Sequence, residues 1–558
     1  MGNILKPLLT APLNRRQFII GVGATGAVLS LAACGVDPSS GPSNGGGGAV
    51  ASGLVVAEVD FFGEQFDPII RTNLDKLLAC MFECPFLIDD SGAPAPGIVT
   101  KWEASADGAA WTLTMRDDVQ FHDGTKCTSE DLAFAYQRAI TEGADTAPDW
   151  TDILGAEPKI DIVDEYTITV HTQGPQPLFV PFSTHLLGIW IVPKKYVEEK
   201  GVDYFRANPI GTGPYKFVSL VAGSEINFAA VDYTHWRVQP TFDTIKARLI
   251  PNTATAIAEL QGGNVDVIGV TPSQAKSLRD EGYQTLSTEQ SQSYLTINGS
   301  FAPDVNGKQP LGDVRVRQAL SYAINRQELI DTVMEGTAEL PAPGRVGLNM
   351  PDVTPELRDK WTAWSREHFV YDVEKAKQLL TEAGYGDGFT LDFWIKQGNS
   401  SIPYQEAFGP ILAAYWEKLG ITVNQTVISG DLYASIGNPL TSDRAVNKIL
   451  LGNTGLAKAS LAENISAVYN PKGAWNGFYG NDALQKQWDD AKRKAYTSLD
   501  ATEVSTALDT MLQLEADSWT MLPVLQVPSI SAFSKDVDPV IPPVVFGLGD
   551  NYAYWKTK

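Results

Sequence analysis

The sequence is short of the residues that hold metals. It has only 4 cysteines and 5 histidines among 558 residues. The histidines are scattered and include no pair at the spacing of metal ligands: His122, His171, His185, His235 and His368. A Walker motif for ATP is absent as well. We therefore expect no cofactor, no resident metal and no ATP hydrolysis by this chain.

Basic residues are also scarce. Lys and Arg together number 43 against 66 Asp and Glu, which gives a formal net charge of -23. A surface of this sign repels a phosphate backbone, so nucleic-acid binding is disfavoured. The hydrophobic content of 44% is that of an ordinary folded chain. At this length we expect two or three lobes rather than one core.

The cysteines divide into one near the N-terminus and three in the body of the chain. Cys34 follows an apolar stretch, whereas Cys80, Cys84 and Cys127 lie further along. Three cysteines cannot all pair with one another. Two alternatives stay open: Cys127 bridges to Cys80 or Cys84 in an oxidising compartment, or all three are buried thiols.

The N-terminus has the build of an export signal. Residues 1–33 carry Lys6, Arg15 and Arg16 but no acidic residue, and an apolar stretch occupies residues 18–33. This stretch is too short and too rich in glycine for a stable membrane span, which needs about 20 apolar residues. The paired Arg15 and Arg16 before Phe18 resemble a twin-arginine signal, so we expect export by the Tat route rather than the Sec route.

Cys34 stands where this signal ends. The run LAACG at residues 31–35 resembles a lipobox, in which the cysteine thiol accepts diacylglycerol. The Gly-, Pro- and Ser-rich residues that follow can bury almost nothing and predict a flexible tether. We assign residues 1–33 to the signal and residues 34–53 to the lipidated cysteine and its tether. The protein is then expected outside the cytoplasm, anchored by lipid to the outer face of the cytoplasmic membrane.

Strand and helix patterns alternate through the rest of the chain. Apolar and β-branched runs predict strands at residues 54–59, 111–115, 166–171 and 389–395. Apolar residues at three- and four-residue intervals predict helices at residues 129–141, 254–261, 315–333, 373–383 and 405–419. This alternation indicates α/β lobes, and the turn-rich stretch 87–207 indicates an inserted α+β subdomain.

Several motifs follow one another in a characteristic order. FHDG stands at residues 121–124 and GTGPYKF at residues 211–217. LQGGNVDV at 260–267, VRVRQALSYAI at 314–324 and the segment 376–385 come next. In kind and order these blocks resemble the family 5 extracellular solute-binding proteins, which include oligopeptide, dipeptide and nickel binders. The resemblance covers nearly all of residues 54–558.

The resemblance implies an α/β fold of the two-lobed periplasmic-binding-protein type II kind with an inserted subdomain. Lobe I would consist of residues 54–86, 208–290 and 523–558, the insert of residues 87–207, and lobe II of residues 291–522, with hinges near Gln292 and Pro523. It also implies a monomeric binding protein, not an enzyme, that closes on a ligand between the lobes. Its partners would be a peptide or small molecule and the permease subunits of an ABC importer with a separate ATPase.

The expected ligand site departs from that of the dipeptide binders. Those relatives hold the ligand's α-ammonium with a buried Asp, but the matching stretch, residues 451–460, contains no acid. The position of a carboxylate-holding Arg falls near Asn399. We therefore expect recognition by aromatic contact and neutral hydrogen bonds. The residues expected to touch the ligand are Phe61, Phe62 and Glu64 from the first lobe and Tyr294, Trp394, Asn399, Asn453 and Thr454 from the second.

Other functions remain as alternatives. Within the same family, the ligand could be a non-peptide solute such as a conjugate, a sugar derivative or a metal chelate. From different classes come a cell-surface hydrolase and a sensor or adhesion lipoprotein without a transporter. A hydrolase needs a nucleophile and a base that converge. His122 beside Asp123 invites that interpretation, but an Asp-Gly turn after a strand is the simpler one.

Overall fold

The computed structural model describes the larger part of the chain: residues 52–61, 66–69, 75–89, 92–142, 147–184, 189–299, 310–344, 347–350, 352–397, 402–429, 432, 448–455, 461–462, 481–542, 544–545 and 552–558. Ala51–Lys558 forms a single unit. Strands and helices alternate within it, as the sequence patterns predict.

Strands run from one end of this unit to the other. They are β1 (Gly53–Glu58), β2 (Leu87–Asp89), β3 (Pro94–Ala95), β4 (Val99–Ala104), β5 (Ala110–Met115), β6 (Ile160–Asp164), β7 (Thr167–His171), β8 (Tyr215–Val221), β9 (Glu225–Ala230), β10 (Thr244–Leu249), β11 (Val267–Gly269), β12 (Gln284–Gly299), β13 (Thr390–Lys396), β14 (Thr422–Ile428), β15 (Lys448–Gly455), β16 (Met521–Phe533), β17 (Val537–Asp538), β18 (Val544–Val545) and β19 (Lys556–Thr557).

Helices cover the strands and connect them. They are α1 (Asp75–Met81), α2 (Ser129–Thr141), α3 (Ala147–Leu154), α4 (Phe179–Phe182), α5 (Lys194–Lys200), α6 (Val202–Ala207), α7 (Thr253–Gln261), α8 (Pro272–Asp280), α9 (Val314–Tyr322), α10 (Arg326–Glu328), α11 (Pro355–His368), α12 (Val373–Glu382), α13 (Phe408–Glu417), α14 (Asp482–Thr497) and α15 (Ala501–Ser518). Among the described residues, none of the helices is both long enough and apolar enough to cross a membrane.

The predicted helix at residues 315–333 is the clearest difference from the sequence patterns. It consists of α9, α10 and a π-helical turn, Leu329–Val333. The interruption has a local cause, because Asn325 Oδ1 accepts a hydrogen bond from the Glu328 N–H at 3.1 Å. An Asn that caps a helix in this way begins a new helix rather than continuing the old one.

One ten-stranded sheet extends through most of the chain. Its strand order is β14-β13-β15-β12-β16-β11-β1-β10-β9-β8. The strands β8, β9, β10, β1 and β11 make up what we call the first half, and β13, β14 and β15 make up the second half. The long antiparallel strands β12 and β16 pair with each other in both halves and so join them. This arrangement gives the two α/β lobes that the resemblance implies.

The pairing of β12 with β16 is interrupted at two places. The register shifts between Thr288 and Ser293, and again between Leu295 and Thr296. Pro523 lies opposite Thr296 at the second shift. Proline has no N–H to donate, and at an irregular position the loss of one hydrogen bond between the strands is least destabilising. Arg326 donates to the Pro523 carbonyl oxygen from Nε at 3.3 Å and from Nη2 at 2.8 Å. The beginning of β16 is thereby fixed to α10.

A separate four-stranded sheet in the order β4-β5-β7-β6 lies within residues 87–207, the segment that the sequence predicts as an inserted subdomain and that we call the insert. The insert is fixed to the first half of the main sheet through a buried ion cluster. Arg138 Nη2 lies 2.8 Å and Arg206 Nε lies 3.3 Å from Oδ2 of Asp67, which is fully buried. A buried carboxylate of this kind is stable only while its cationic partners stay in place.

The FHDG motif forms a turn. Asp123 Oδ1 accepts a hydrogen bond from the Thr125 N–H at 2.9 Å, and the Gly124 N–H donates to the Phe121 carbonyl oxygen at 2.9 Å. Gly124 has φ 86°, which favours glycine. The motif is therefore structural, as the simpler interpretation of the sequence has it.

The ring of His122 connects this turn to the GTGP motif. The Gly211 N–H donates to Nδ1 of His122 at 3.2 Å, and Nε2 of His122 lies 2.9 Å from the Gly213 carbonyl oxygen. Because a backbone N–H can only donate, Nδ1 must be the acceptor, and Nε2 must carry the proton. Burial lowers the pKa of His122 to about 4. The neutral ring thus satisfies two backbone groups of the first half from within the insert.

The glycines of the GTGP motif are required by close packing. A Cβ on Gly211 would overlap the carbonyl oxygen of Met81, and one on Gly213 would overlap the carbonyl oxygen of Cys80. The Gly213 N–H donates to the Met81 carbonyl oxygen at 2.9 Å, so the two segments cannot separate without losing this bond. The motif is a tight turn packed on the end of α1.

Among the described residues, the three cysteines form no disulfide. Cys80, Cys84 and Cys127 are all buried. Burial raises the pKa of Cys80 to about 12 and the pKa values of Cys84 and Cys127 well above the ordinary value for a thiol. Of the two alternatives that the sequence leaves open, the structure has the buried thiols.

We expect Gly213→Ala to lower the free energy of unfolding by about 2 kcal/mol, because the new methyl group must push apart two packed backbones. Gly312→Ala is the matched control, since a Cβ there meets no atom within 4 Å. It should change the free energy of unfolding by less than about 0.5 kcal/mol. Urea unfolding of both variants measures the difference, and equal stabilities would contradict the packing argument.

We further expect His122 to make the stability of the protein depend on pH. The pKa of His122 is 6.5 in the unfolded chain and about 4 in the folded chain. As the pH falls through this window, the imidazole becomes protonated in the unfolded chain but stays neutral in the folded chain. The free energy of unfolding should therefore decrease over this window, by up to about 3 kcal/mol from this residue. Urea unfolding at pH 7 and pH 4 measures it. His122→Gln should show a flatter pH dependence than the wild type, and identical slopes would refute the assignment.

Candidate functional site

The parallel strands of both halves of the main sheet end toward the middle of the β12–β16 pair. In the first half, Gly269 at the end of β11 lies opposite Ser531, and β1 is parallel to β11. In the second half, Gly455 at the end of β15 lies opposite Ser293, and β13 is parallel to β15. Ligands of open α/β sheets bind outside the carboxyl ends of the strands. Two such edges therefore approach one common zone, which is the candidate site.

Three predicted ligand residues come together at this zone. Tyr294 on β12 lies directly opposite Thr454 on β15, and Asn453 lies opposite Leu295. On its other side, Tyr294 pairs with Gln526 of β16. The backbone thus brings residues 158 or more positions apart in the sequence into adjacent register positions, and these positions lie close to the crossing from one half to the other.

Trp394 belongs to the same edge but faces away from the core of the second half. Leu391, Phe393 and Ile395 are buried in a hydrophobic cluster, whereas Trp394 alternates with them and is half-buried. Lys448 Nζ lies 4.9 Å from the centroid of the Trp394 ring. A cation at this distance is attracted to the ring face and orients the indole.

Phe61 differs from these residues because it is part of a core. It follows β1 and is 6% exposed, in a hydrophobic cluster of the first half. Phe62, Glu64 and Asn399 lie outside the described residues, as do Arg15, Arg16 and Cys34 of the export signal. Their expected roles stay predictions.

Two residues that the sequence did not single out also lie at the candidate site. Gln405 follows the strand β13 in the chain, is fully buried and donates from Nε2 to the Leu451 carbonyl oxygen on β15 at 3.1 Å. In the part of the chain that the structure describes, its Oε1 is buried and accepts no hydrogen bond. Its neighbour Tyr404 donates from the hydroxyl to the Pro528 carbonyl oxygen on β16 at 3.4 Å.

The Gln405 oxygen can therefore accept one hydrogen bond at the candidate site. A buried polar atom without a partner costs about 1–3 kcal/mol, which a donor from a ligand or a water molecule would relieve. No signal in the sequence could have pointed to Gln405. A glutamine near the beginning of a helix is common, and only the strand order brings it to Leu451.

Charged groups of both signs are buried at the two edges. Lys396 at the carboxyl end of β13 is 8% exposed, and Glu58 at the carboxyl end of β1 is 4% exposed. Glu58 Oε1 accepts a hydrogen bond from the Tyr552 hydroxyl at 2.7 Å. Lys396 lies three positions before Asn399, the position near which dipeptide binders carry an arginine. The second half therefore has a buried cation close to the place where the sequence comparison finds none.

Residues that could hold a metal do not gather in the described structure. Across the ranges it covers, His, Cys, Asp and Glu form no group of three or more that could bind a metal ion. His122 and His235 instead contact backbone carbonyl oxygens, those of Gly213 and Thr212. The chemistry available at the strand ends is hydrogen bonding, aromatic contact and charge pairing.

A family model matches the middle of the chain. The model of the bacterial extracellular solute-binding proteins, family 5 Middle, matches residues 93–476, which is more than half of the sequence. This match includes most of the insert and the strands β12, β13 and β15 of the candidate site.

Individual proteins are similar to this chain over shorter or longer parts. The Heme-binding protein A of Haemophilus influenzae is 28% identical over 355 residues, which cover 59% of this chain and 61% of that protein. The chain thus spans about three fifths of the length of this relative. The Glutathione-binding protein GsiB of Pectobacterium atrosepticum is 27% identical over 474 residues, covering 81% of this chain and 84% of that protein.

Solved structures confirm the fold. The periplasmic binding protein DppA of Helicobacter pylori, in complex with the peptide STSA, aligns with a TM-score of 0.75 at 19% sequence identity. The alignment covers 91% of this chain and 98% of that chain. Identity at this level shows the fold alone, and the fold is the two-lobed α/β arrangement with an insert that the sequence resemblance implies.

Proposed function

Because this chain belongs to the bacterial extracellular solute-binding proteins of family 5, we propose that it captures a peptide or a peptide-sized solute outside the cytoplasm and delivers it to an ABC importer. Proteins of this family bind solutes rather than transform them, in agreement with the expectation that the chain is not an enzyme. The observation that carries the proposal is the meeting of strand ends from both halves at the β12–β16 crossing.

The same crossing supports closure of the two lobes as the working motion. Only backbone pairing of β12 with β16 joins the halves of the main sheet within the described residues, and its register is interrupted between Thr288 and Ser293. Interrupted pairing bends more easily than a regular ladder. We propose hinges there and near Pro523, between lobe I at 54–86, 208–290 and 523–558 and lobe II at 291–522. A ligand that binds the closed state more tightly then shifts the population toward it.

The ligand we propose is held chiefly by neutral hydrogen bonds and aromatic contact. The stretch 451–460 has no carboxylate for a free α-ammonium. Gln405 offers a buried oxygen acceptor, and Trp394 offers an indole at the same edge. An amide N–H or a hydroxyl of the ligand suits the Gln405 oxygen, which favours a longer or N-blocked peptide over a free dipeptide.

Lys396 favours a second candidate within the same function. Lys396 is buried at the carboxyl end of β13, and an ammonium group at that edge attracts the carboxylate of a ligand. The alternative ligand is therefore an acidic conjugate or sugar derivative, or a peptide whose C-terminal carboxylate reaches Lys396. The two candidates differ in whether removal of the carboxylate weakens binding.

We expect the affinities of peptides, measured by calorimetry, to depend on whether the N-terminus is acetylated or free. Acetylated tri- and tetrapeptides should bind at least as tightly as the same peptides with a free α-ammonium, because residues 451–460 contain no carboxylate that would pair with the ammonium group. Lys396→Met should weaken binding of peptides with a free carboxylate and leave C-amidated peptides unchanged if the second candidate holds. Mass spectrometry of co-purified material would identify the natural ligand.

One result would contradict the ligand assignment. Low-micromolar binding of ordinary free dipeptides, lost on acetylation, would show that a carboxylate anchor exists and that residues 451–460 are not the matching stretch. Thr426→Ser on the neighbouring strand β14, whose side chain is exposed, is a control that should leave every affinity unchanged.

Export and anchoring form the second part of the proposal. The lipobox at residues 31–35 and the paired arginines before the apolar stretch support a lipoprotein exported by the Tat route. The tether that follows would leave the folded part free to approach a permease.

We expect Cys34→Ala to release the protein from the membrane fraction, because the thiol is the site of lipid attachment. Ser39→Ala in the tether is the control and should stay membrane-bound. Replacement of Arg15 and Arg16 by lysine should abolish export although it keeps the charge, since the translocase reads more than charge. Fractionation of cells with carbonate washing measures both effects. Retention of the Cys34→Ala protein after the wash would contradict lipidation.

A further inference from the structure

The antiparallel helices α14 and α15 form a helical hairpin that belongs to the second half of the main sheet. Arg317 on α9 donates from Nε to the carbonyl oxygens of Ser518 and Trp519, both at 3.1 Å, at the end of α15. Lys360 on α11 contacts Asp509 of α15 at 2.6 Å. The hairpin is thereby fixed to α9, whose buried residues belong to the hydrophobic cluster of the second half.

The outer face of this hairpin contacts the insert. The rings of Tyr496 on α14 and Phe182 on α4 have centroids 5.3 Å apart and meet edge to face. Lys492 Nζ on α14 lies 3.0 Å from Asp152 Oδ2 on α3. We call these four residues the clasp. Phe182 and Tyr496 are 3% exposed each, and a single hydrophobic cluster includes residues of the insert together with residues of α14 and α15.

The insert itself is fixed to the first half. Asp67 binds Arg138 and Arg206, and His122 binds the backbone at Gly211 and Gly213. The insert also shares a hydrophobic cluster with strands and helices of the first half, through Trp190, Val192, Val197 and Phe205. The clasp consequently connects two parts that follow different halves of the main sheet.

We propose that the clasp forms when the lobes close and holds them closed in the absence of ligand. The inference rests on the proposed function only in taking closure about β12 and β16 as the working motion. Opening separates Phe182 from Tyr496 and exposes apolar surface that the closed state buries, so the clasp favours closure. The apparent affinity for a ligand depends on the fraction of molecules already in the binding-competent state. The insert thereby adjusts affinity without contacting the ligand.

Phe182→Leu tests the clasp, and Phe179→Leu is its matched control on the same short helix. Phe179 stacks on Trp111 and Tyr136 and meets Trp150 edge to face, all within the insert, and it has no ring contact with the hairpin among the described residues. The readout is the rate at which a short bis-maleimide cross-links Asp152→Cys to Lys492→Cys in the full chain, with Cys34→Ser to prevent side reactions. This background lacks the ion pair of the clasp, so the rate reports the Phe182–Tyr496 contact alone. The three cysteines of the folded part are buried and should stay unlabelled.

In the ligand-free protein, Phe182→Leu should lower the closed-to-open ratio, and with it the cross-linking rate, by about two- to tenfold. Small-angle scattering of the same variant without the cysteine substitutions should show a larger radius of gyration. Phe179→Leu should change neither quantity. Equal rates and equal radii for the two variants would overturn the proposal, because the insert and the hairpin would then be in permanent contact.

A second variant covers the case in which Phe182→Leu does not fold. Asp152→Asn removes the ion pair at a side chain that is 60% exposed, so the fold should tolerate it. We expect a small increase in the radius of gyration at low salt and none at high salt, where the pair is screened. No increase at low salt would count against the clasp. None of these measurements uses a ligand. A failure of the peptide-binding experiments would therefore count against the proposed function, whereas the cross-linking rates and radii alone decide on the clasp.

Discussion

Two antiparallel strands, β12 and β16, continue from the first half of the main sheet into the second and pair with each other along the way. Their direction determines the direction of every strand beside them, because β11 and β15 are both antiparallel to a member of the pair. As a result, the carboxyl ends of β1, β11, β13 and β15 all point toward the crossing. The candidate site, the proposed hinge and the separation into lobes are consequences of this one pairing.

Local sequence patterns were sufficient to predict most elements, because their causes are local. Helix α2 has the predicted bounds, and the Thr128–Asp131 capping contacts that begin it lie within four residues. Long-range polar contacts could not be predicted in this way. Glu83 accepts hydrogen bonds from Trp236 Nε1 at 2.9 Å and Arg237 Nε at 2.8 Å, across more than 150 positions. Burial alone would raise the pKa of Glu83, but His235 and Arg237 lower it to about 2.

At the candidate site, too, some residues could be predicted from the sequence and others could not. Trp394 could be proposed from the sequence because it stands near the end of a predicted strand, Tyr294 because it lies near the expected hinge, and Thr454 because the family resemblance places the ligand at residues 451–460. The strand pairing then places Tyr294 opposite Thr454. Phe61 also follows a strand, yet its ring is part of a core, since position after a strand does not determine which way a side chain packs. Gln405 and Lys396 were missed because both are buried beside the strands of the second half, and only the three-dimensional arrangement of those strands creates this burial.

The three buried thiols have a consequence for biogenesis. Because burial raises the pKa values of Cys80, Cys84 and Cys127, each thiol stays protonated, and thiol–disulfide exchange requires a thiolate. The described part of the chain can therefore complete its folding without an oxidant or a disulfide isomerase. A reducing cytoplasm and an oxidising exterior present it with the same set of covalent bonds, so the native state can be reached on either side of the membrane.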